Sequence, residues 1–437
     1  MQQIPIMKVI NSSDISPFGG LNFVLKEFET LNLGHFLNEN LPFLPAQSKY
    51  QWKDILYSFW SIYFCGGDCI EDLSGNFNHH LRQNPFLKIP SPDRVLERFK
   101  KLSVPKENFS VPRGISSHEF SFNDPLNKLN LQILKQIRFN VEEKLTLDYD
   151  NTLLFNDKAD SRWSYKNRSG YCPGVGIIGK NIVFIENRNG NSDAKTLQVE
   201  TLNRMFSLLN QQKIKIHAFR ADGASYQMNV IEIISKNVEK LYMRACMSDA
   251  LAREIANIDN WEEVDLGSEK GYRGDIIFTP FMRTAKRNKT VDQLKSYRLV
   301  VTKLERSDKQ IDLFTNEACK YSAILTNDYE MTKDEVAYFY NQRGAIEKEF
   351  DVLKNDFGWN NLPFSKLEQN TVFLFFTAIC RNLYNYIINL FSLRYKCLNQ
   401  NFRIKKFIFR FITIPAKWIK SARQNKLKIY GNLHYKT

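Results

Sequence analysis

The chain has 437 residues, of which 43% are hydrophobic, and its 61 Lys and Arg exceed its 47 Asp and Glu by a formal charge of +14. This length suits two or three domains with a sizeable core. The seven scattered cysteines form no CxxC pair, which excludes a disulfide framework or zinc site and indicates a reduced, intracellular protein.

The excess positive charge favours a polyanionic partner, either nucleic acid or a membrane surface. It is concentrated at the end of the chain, where 13 Lys and Arg and no acidic residue follow Glu368. The most apolar run, residues 372–380, is too short to span a bilayer. The N-terminal residues lack the architecture of a signal peptide, so we expect a soluble, cytoplasmic protein.

Residues 1–140 predict helices, because apolar residues recur at helical spacing in LNFVLKEFETLNLGHFL, QWKDILYSFWSIYF and NDPLNKLNLQILKQIRF. Residues 103–118, rich in Pro and Ser, predict a linker.

A short basic helix is predicted in SPDRVLERFKKL, with Ser91 as the N-cap and Pro92 at the first helical position. One side of it carries three cations, Arg94, Arg98 and Lys101. Such a face can contact DNA phosphates, or it can simply be a solvated basic face, and the residues leave both readings open.

From Lys144 the pattern changes to strands separated by helices. A strand in LTLDYDNTLLF carries Asp148 and Asp150, and GVGIIGKN with NIVFIEN predicts a hairpin. A helix over about 195–212 follows, then a strand that ends at Asp222, a helix over about 225–236 and the strand KLYMRA. GVGIIGKN matches GxGxxG, but the β-branched residues around it predict strands instead of the helix that a phosphate loop needs. We therefore expect no nucleotide cofactor.

Residues 340–354 predict one long amphipathic helix. Tyr340, Arg343, Glu347 and Lys354 fall within a sector of roughly 60° on it, at about 100° per residue. Taken alone, this could be a solvated face with ion pairs three or four residues apart.

The spacing Tyr-x2-Arg-x3-Glu-x6-Lys, downstream of two strand-end aspartates, resembles the DDE transposases of bacterial insertion sequences, in the branch of DDE domain group 1 that carries this signature. The resemblance implies an α/β fold (α+β overall) with a ribonuclease H-like catalytic core. A β-rich insertion in that core accounts for the 125-residue interval from Asp222 to Glu347. The implied domains are a helical DNA-binding domain (1–140), the first part of the core (141–245), the insertion (246–331), the glutamate helix (332–368) and a basic helical C-terminal region (369–437).

The resemblance also implies site roles. Asp150, Asp222 and Glu347 would be catalytic and would bind two Mg²⁺ ions, with Mn²⁺ as a substitute. Three carboxylates supply the hard oxygen ligands that such ions prefer, and two ions about 3.5–4 Å apart can cleave a phosphodiester. Asp148 is the alternative ligand, because strand alternation sends it to the same face as Asp150.

Tyr340, Arg343 and Lys354 would bind DNA, together with the basic helix. The implied function is to bind the terminal inverted repeats of a mobile element as double-stranded DNA, cut both strands and join the 3′-ends to target DNA. A homodimer would act in the transpososome, with no membrane partner, and the cytoplasmic bacterial protein would be nucleoid-associated when bound to DNA. The alternatives are a non-catalytic DNA-binding protein of transposase descent and a nuclease without strand transfer.

Overall fold

The structure is a computed structural model, and it describes residues 14–75, 77–110, 117–137, 144–265, 270–305, 311 and 318–431. The first helices are α1 (Leu21–Thr30), α2 (Leu33–Asn40), α3 (Trp52–Phe64), α4 (Asn78–Leu81) and α5 (Pro92–Lys100). The middle of the chain forms β1 (Glu107–Ser110), β2 (Ser117–Ser121), α6 (Asp124–Gln136), β3 (Thr146–Asn151), β4 (Leu154–Phe155), β5 (Arg162–Trp163), β6 (Ser169–Tyr171), β7 (Gly174–Ile178), β8 (Asn181–Arg188), α7 (Gln198–Gln211), β9 (Ile216–Ala221), α8 (Met228–Asn237) and β10 (Val238–Ala245). The remaining elements are α9 (Asp249–Ile255), β11 (Glu262–Asp265), β12 (Lys270–Phe278), α10 (Met282–Asn288), β13 (Tyr297–Glu305), β14 (Cys319–Thr326), α11 (Lys333–Asn341), α12 (Ala345–Asp356), α13 (Leu367–Arg394), α14 (Ile404–Phe407), β15 (Ala416–Ser421) and β16 (Gln424–Ile429).

The chain folds into two compact units. Unit 1 comprises Met1–Ser103, Val352–Phe364 and Val372–Thr437, and unit 2 comprises Val104–Asp351 and Ser365–Thr371. The sequence placed the first boundary at residue 140, which lies outside the described residues, whereas unit 2 already begins at Val104. The difference arises because α6 packs on the sheet of unit 2, where the Asn127 side chain donates to the Ile185 carbonyl and accepts from the Ile185 N–H.

Unit 2 is built on one 11-stranded sheet with the order β1-β2-β8-β7-β3-β9-β10-β14-β13-β12-β11. Its central strands β3, β7, β8, β9 and β10 occur along the chain in the predicted β-β-β-α-β-α-β order. The strand β3 runs antiparallel to β7 and parallel to β9, and β9 runs parallel to β10. The prediction of an α/β fold with a ribonuclease H-like core is confirmed.

The predicted β-rich insertion extends this same sheet. Strand β14 pairs antiparallel with β10, which places Tyr242 opposite Thr326, and β13, β12 and β11 follow in turn. Without β14, the edge of β10 would expose unpaired backbone N–H and C=O groups. The insertion strands therefore complete the sheet of unit 2.

The predicted linker at 103–118 is wrong for its described part. Strand β1 pairs with β2 from Glu107↔Phe120 to Ser110↔Ser117, and β2 in turn pairs with β8. The rings of Phe109 and Phe120 pack edge to face with centroids 5.3 Å apart. The Pro and Ser content of this segment obscured two short strands, which are held in the sheet by the pairing of β2 with the distant β8. Residues 111–116 lie outside the described part of the chain.

The predicted single helix over 340–354 is two helices separated by a tight turn. Helix α11 begins with a capping box between Thr332 and Glu335 and ends at Asn341, and a 3₁₀ turn over Gln342–Gly344 leads into α12. Gly344 favours this interruption because glycine is a poor helix former. Arg343 therefore lies in the turn and Glu347 in the first turn of α12.

The core of unit 1 is aromatic and centres on α13 beyond residue 371. The indoles of Trp60 and Trp359 are fully buried and donate to the Phe376 carbonyl and the Thr377 hydroxyl, both at 2.9 Å. Within the described residues, α13 is the one helix long and apolar enough to cross a membrane, but 94% of its apolar window is buried inside the protein. That burial is typical of a core helix.

The C-terminal region predicted as helical is only partly so. After α14 and a π-helical turn over Ile408–Ile412, the chain forms the antiparallel hairpin β15–β16. The short alternating runs in AKWIKS and QNKLKI suit strands, but the high density of lysine concealed that alternation.

Candidate active site

Two neighbouring parallel strands bring the two predicted aspartates to one edge of the sheet. Asp150 lies near the end of β3, and Asp222 directly follows β9. The register pairs Tyr149 with Ala221. The residues that follow these two are the aspartates, so their carboxylates lie at adjacent positions on the carboxyl-end edge of the sheet.

Arg343 links the helical glutamate to this edge. Its Nη1 lies 3.1 Å from Oδ2 of Asp150, and its Nη2 lies 3.1 Å from Oε1 of Glu347. Arg343 and Asp150 are largely buried, whereas the Glu347 side chain is 65% exposed. One guanidinium therefore holds two of the predicted catalytic carboxylates close together, and Glu347 is open to a ligand from solvent.

The charges at this edge perturb Asp150. Burial, reinforced by the negative charge of Asp222 and to a smaller extent of Glu347, raises the pKa of the Asp150 carboxyl to about 6, against the opposing effect of the Asn151 N–H and Arg343. The same cluster of negative charges raises the pKa of Arg343, against the effect of its burial. The site thus concentrates more negative charge than its single arginine neutralises.

Asp148, the alternative ligand, is engaged elsewhere. Its two carboxylate oxygens accept hydrogen bonds from Nε and Nη2 of Arg220, both at 2.7 Å, and both side chains are almost fully buried. The pair forms because Asp148 and Arg220 lie directly opposite in the parallel register of β3 and β9. A carboxylate with both oxygens occupied by a fork of donors is poorly placed to bind a metal ion.

Arg220 also joins the strands to the helix that precedes the glutamate. Its Nη1 donates to the Phe339 carbonyl near the end of α11, at 2.7 Å, and its guanidinium lies over the Phe339 ring, 4.8 Å from the centroid. This contact of Arg220 was not predicted from the sequence. The sequence feature that could have indicated this ion pair is an arginine and an aspartate on two strands that are predicted to be neighbours.

Tyr340, predicted to bind DNA, has a structural contact of its own. Its ring is 6% exposed and packs in the cluster with Tyr242, Val336 and Ile324, and its hydroxyl donates to the Ala221 carbonyl at 3.3 Å. Ala221 directly precedes Asp222. The hydroxyl that is predicted to meet a phosphate therefore also supports the backbone next to Asp222.

The other predicted DNA-binding residues belong to unit 1. Lys354 is half-buried, in the part of α12 that belongs to unit 1. Arg94 and Lys101 on α5 both form ion pairs with Glu97, the latter at 2.9 Å. Glu97 partly neutralises the basic face of this helix, which favours a solvated surface over a DNA contact. The Arg98 side chain is half-buried.

The three carboxylates suit hard divalent cations. Each supplies oxygen ligands, and the raised pKa of Asp150 shows negative charge that a cation would relieve. In the described part of the chain, the group of three acidic or sulfur ligands with donor atoms within 4.8 Å of one another is Asp68, Cys69 and Asp72. The carboxylate oxygens of Asp150, Asp222 and Glu347 therefore do not all lie within 4.8 Å of one another.

The Asp68 group has a structural explanation. Oδ2 of Asp72 accepts the backbone N–H groups of Asp68 and Cys69 at 3.1 and 3.4 Å. It caps the 3₁₀ turn that follows, Ile70–Leu73, which accounts for the clustering.

Comparison with known proteins gives a family and a distant structural likeness. The sequence profile described as "Transposase DDE domain group 1" matches residues 12–437. Among solved structures, the chain is similar to the piggyBac transposase in a cryo-EM structure of its synaptic complex with hairpin DNA, with 12% sequence identity, coverage of 90% of this chain and 79% of that chain, and a TM-score of 0.46. No curated protein matches the sequence.

Proposed function

Because the chain belongs to the family of transposases with a DDE domain of group 1, we propose that it moves a bacterial insertion sequence by cutting DNA at the terminal inverted repeats and joining the 3′-ends to target DNA. The observation that supports this proposal is the pairing of Arg343 with both Asp150 and Glu347, at an edge where the register of β3 and β9 places Asp222 next to Asp150.

The three carboxylates are the residues that would hold two Mg²⁺ ions, with Mn²⁺ as a substitute. When bound, such ions activate the attacking water or 3′-hydroxyl and stabilise the leaving oxygen. The strands β3 and β9 fix Asp150 and Asp222 in the sheet, whereas the exposed Glu347 remains accessible to the incoming DNA end.

Arg343 has two roles in this proposal. Through Asp150 and Glu347 it holds the helix carboxylate next to the strand carboxylate. A guanidinium has five N–H donors, so the bonds to Asp150 and Glu347 leave donors that can orient a phosphate oxygen beside the carboxylates. A 1 Å error in such positioning can cost a large factor in rate, which makes Arg343 a positioning residue as much as a binding one.

Double-stranded DNA is the proposed partner, in line with the net charge of +14. We further propose a homodimer on paired DNA ends, a cytoplasmic location with association to the nucleoid, and DNA contacts by Lys354 and by Arg94, Arg98 and Lys101 on α5.

The test uses the purified chain and a labelled duplex that carries the inverted repeat found in DNA flanking its coding region, with Mg²⁺ and a supercoiled plasmid as target. Wild type should give cleaved ends and joined product. Glu347→Gln keeps the shape of the side chain and removes its charge, so it should bind the duplex nearly as well as wild type and yield neither product. Lys348→Gln, the next residue on α12, is the matched control for a single change on this helix.

Each alternative has its own result in this assay. Cleavage without joining indicates a nuclease without strand transfer, and binding without cleavage indicates a non-catalytic DNA-binding protein. If Glu347→Gln cleaves at the wild-type rate, the assignment of the three carboxylates is wrong.

A further inference from the structure

The hairpin β15–β16 has two chemically different faces. Its inner face carries Trp418 opposite Leu427, and Trp418 packs edge to face against Phe86 of the same unit with ring centroids 5.5 Å apart. This packing attaches the hairpin to unit 1.

The outer face is basic. Lys417 lies directly opposite Lys428, and the neighbouring pair on this face is Ile419 with Lys426. Lys426 and Lys428 are exposed, and the Lys428 ammonium lies 5.0 Å from the centroid of the Tyr430 ring. Among the described residues, Lys417 forms an ion pair with Asp14 at 3.7 Å, in which Asp14 is exposed and Lys417 is half-buried.

The opposed lysines weaken the hairpin. Like charges directly opposite on two strands are destabilising. Asp14 offsets only the charge of Lys417, and no acidic residue occurs after Glu368. The turn adds Arg423 at its exposed tip, with φ of 61° in the left-handed region. A surface that concentrates positive charge against its own stability is expected where a polyanion supplies the missing negative charge.

We propose that the outer face of the β15–β16 hairpin binds the sugar-phosphate backbone of double-stranded DNA, at a contact separate from the carboxylate site. A two-stranded ribbon has the width that the major groove of B-DNA admits, and its lysines are suited to phosphates as point charges. The inference rests on the proposed function, because it takes duplex DNA as the partner. In the acid-free tail, which comprises the residues after Glu368, the sequence alone shows a general excess of positive charge. The inference assigns a DNA contact to one exposed face within this tail.

Truncation of that tail is not a clean test. Phe391, Phe407 and Phe411 are buried in the core of unit 1, so removing them would unfold it. Point variants on the outer face avoid this problem. Lys426→Gln/Lys428→Gln removes two positive charges from the hairpin.

Lys128→Gln/Lys236→Gln is the matched control, because it removes two positive charges from helices of unit 2. Each of these lysines already pairs with a carboxylate four residues away, both at 2.6 Å.

Binding to a duplex of generic sequence is measured over a series of salt concentrations. Each lost phosphate contact should lower the slope of log K against log [salt] by about 0.9, so the hairpin variant should lose between about 1 and 2 from the slope while the control keeps it. Melting temperature separates binding from folding: relief of the repulsion should leave the hairpin variant at least as stable as wild type. Lys426→Arg/Lys428→Arg should restore the wild-type slope.

Three results overturn the inference, and they differ in what else they affect. If wild type binds duplex with a steep slope and the glutamine variant keeps it, the hairpin is not a DNA contact and the proposed function stands. If the glutamine variant loses binding only to vesicles of anionic phospholipid, the partner is a membrane surface. If wild type binds no duplex at any salt concentration, the proposed function fails together with the inference.

Discussion

Replacing Asp150 by asparagine should stabilise the metal-free protein at neutral pH. The pKa of this carboxyl is about 6 in the folded chain and 3.8 as an ordinary aspartate. The folded state therefore retains a proton that the unfolded chain releases, so the contribution of this group to stability falls as pH rises from about 4 to about 6. A difference of about two pKa units corresponds to about 3 kcal/mol, which is the expected gain in the free energy of unfolding for Asp150→Asn above pH 7.

Asp148→Asn should have the opposite effect. Burial raises the pKa of Asp148 as well, against the effect of Arg220. Here, however, the change removes the bidentate partner of a buried guanidinium, and breaking a buried ion pair costs about 3–5 kcal/mol. The two aspartates lie two residues apart on one strand, so each variant is a control for the other.

The assay is thermal and urea unfolding of wild type and both variants in EDTA, at pH 5 and pH 7.5, with cleavage of end-bearing DNA in Mg²⁺ measured in parallel. Asp150→Asn should melt higher than wild type at pH 7.5, on the order of 5–10 °C, with a smaller gain at pH 5 and no cleavage. Added Mg²⁺ should raise the melting temperature of wild type more than that of this variant. Loss of stability in Asp150→Asn at pH 7.5 would refute the reasoning. Loss of cleavage in a fully stable Asp148→Asn would also refute it, and would indicate that Asp148 is the metal ligand.

The remaining predictions concern residues around the triad. Arg343→Ala and Lys354→Ala should reduce cleavage and joining far more than affinity for the DNA end. Arg343→Lys should recover only part of the activity, because a point charge cannot bridge two carboxylates as a planar fork does. Full strand transfer in these variants, with stability changed by less than about 0.5 kcal/mol, would show that both residues are surface ion-pair residues. Tyr340→Phe should cost about 1 kcal/mol of stability by removing the hydrogen bond to the Ala221 carbonyl; a normal melting temperature with strongly weakened binding of 5′-phosphorylated ends would instead support a direct phosphate contact.

Local pattern was enough to predict much of the chain. The alternation around Asp150, the apolar strand before Asp222, the GVGIIGKN hairpin and the capped helix at Ser91 all rest on residues close in sequence, and each forms as expected. These features need only backbone preferences and hydrophobic periodicity, which act over a few residues.

Only the tertiary structure decided how those pieces meet. The sequence could not separate Asp148 from Asp150, because both point to the same side of β3. The register with β9 puts Arg220, which is 72 residues away in the sequence, opposite Asp148. Asp148 therefore pairs with Arg220, whereas Asp150 lies beside Arg343. The same is true of Tyr340, whose partner carbonyl is 119 residues distant, and of β1, whose pairing with β2 was hidden in a segment rich in Pro and Ser. Register and packing between distant segments depend on the free energy of the whole fold, so no local pattern of residues encodes them.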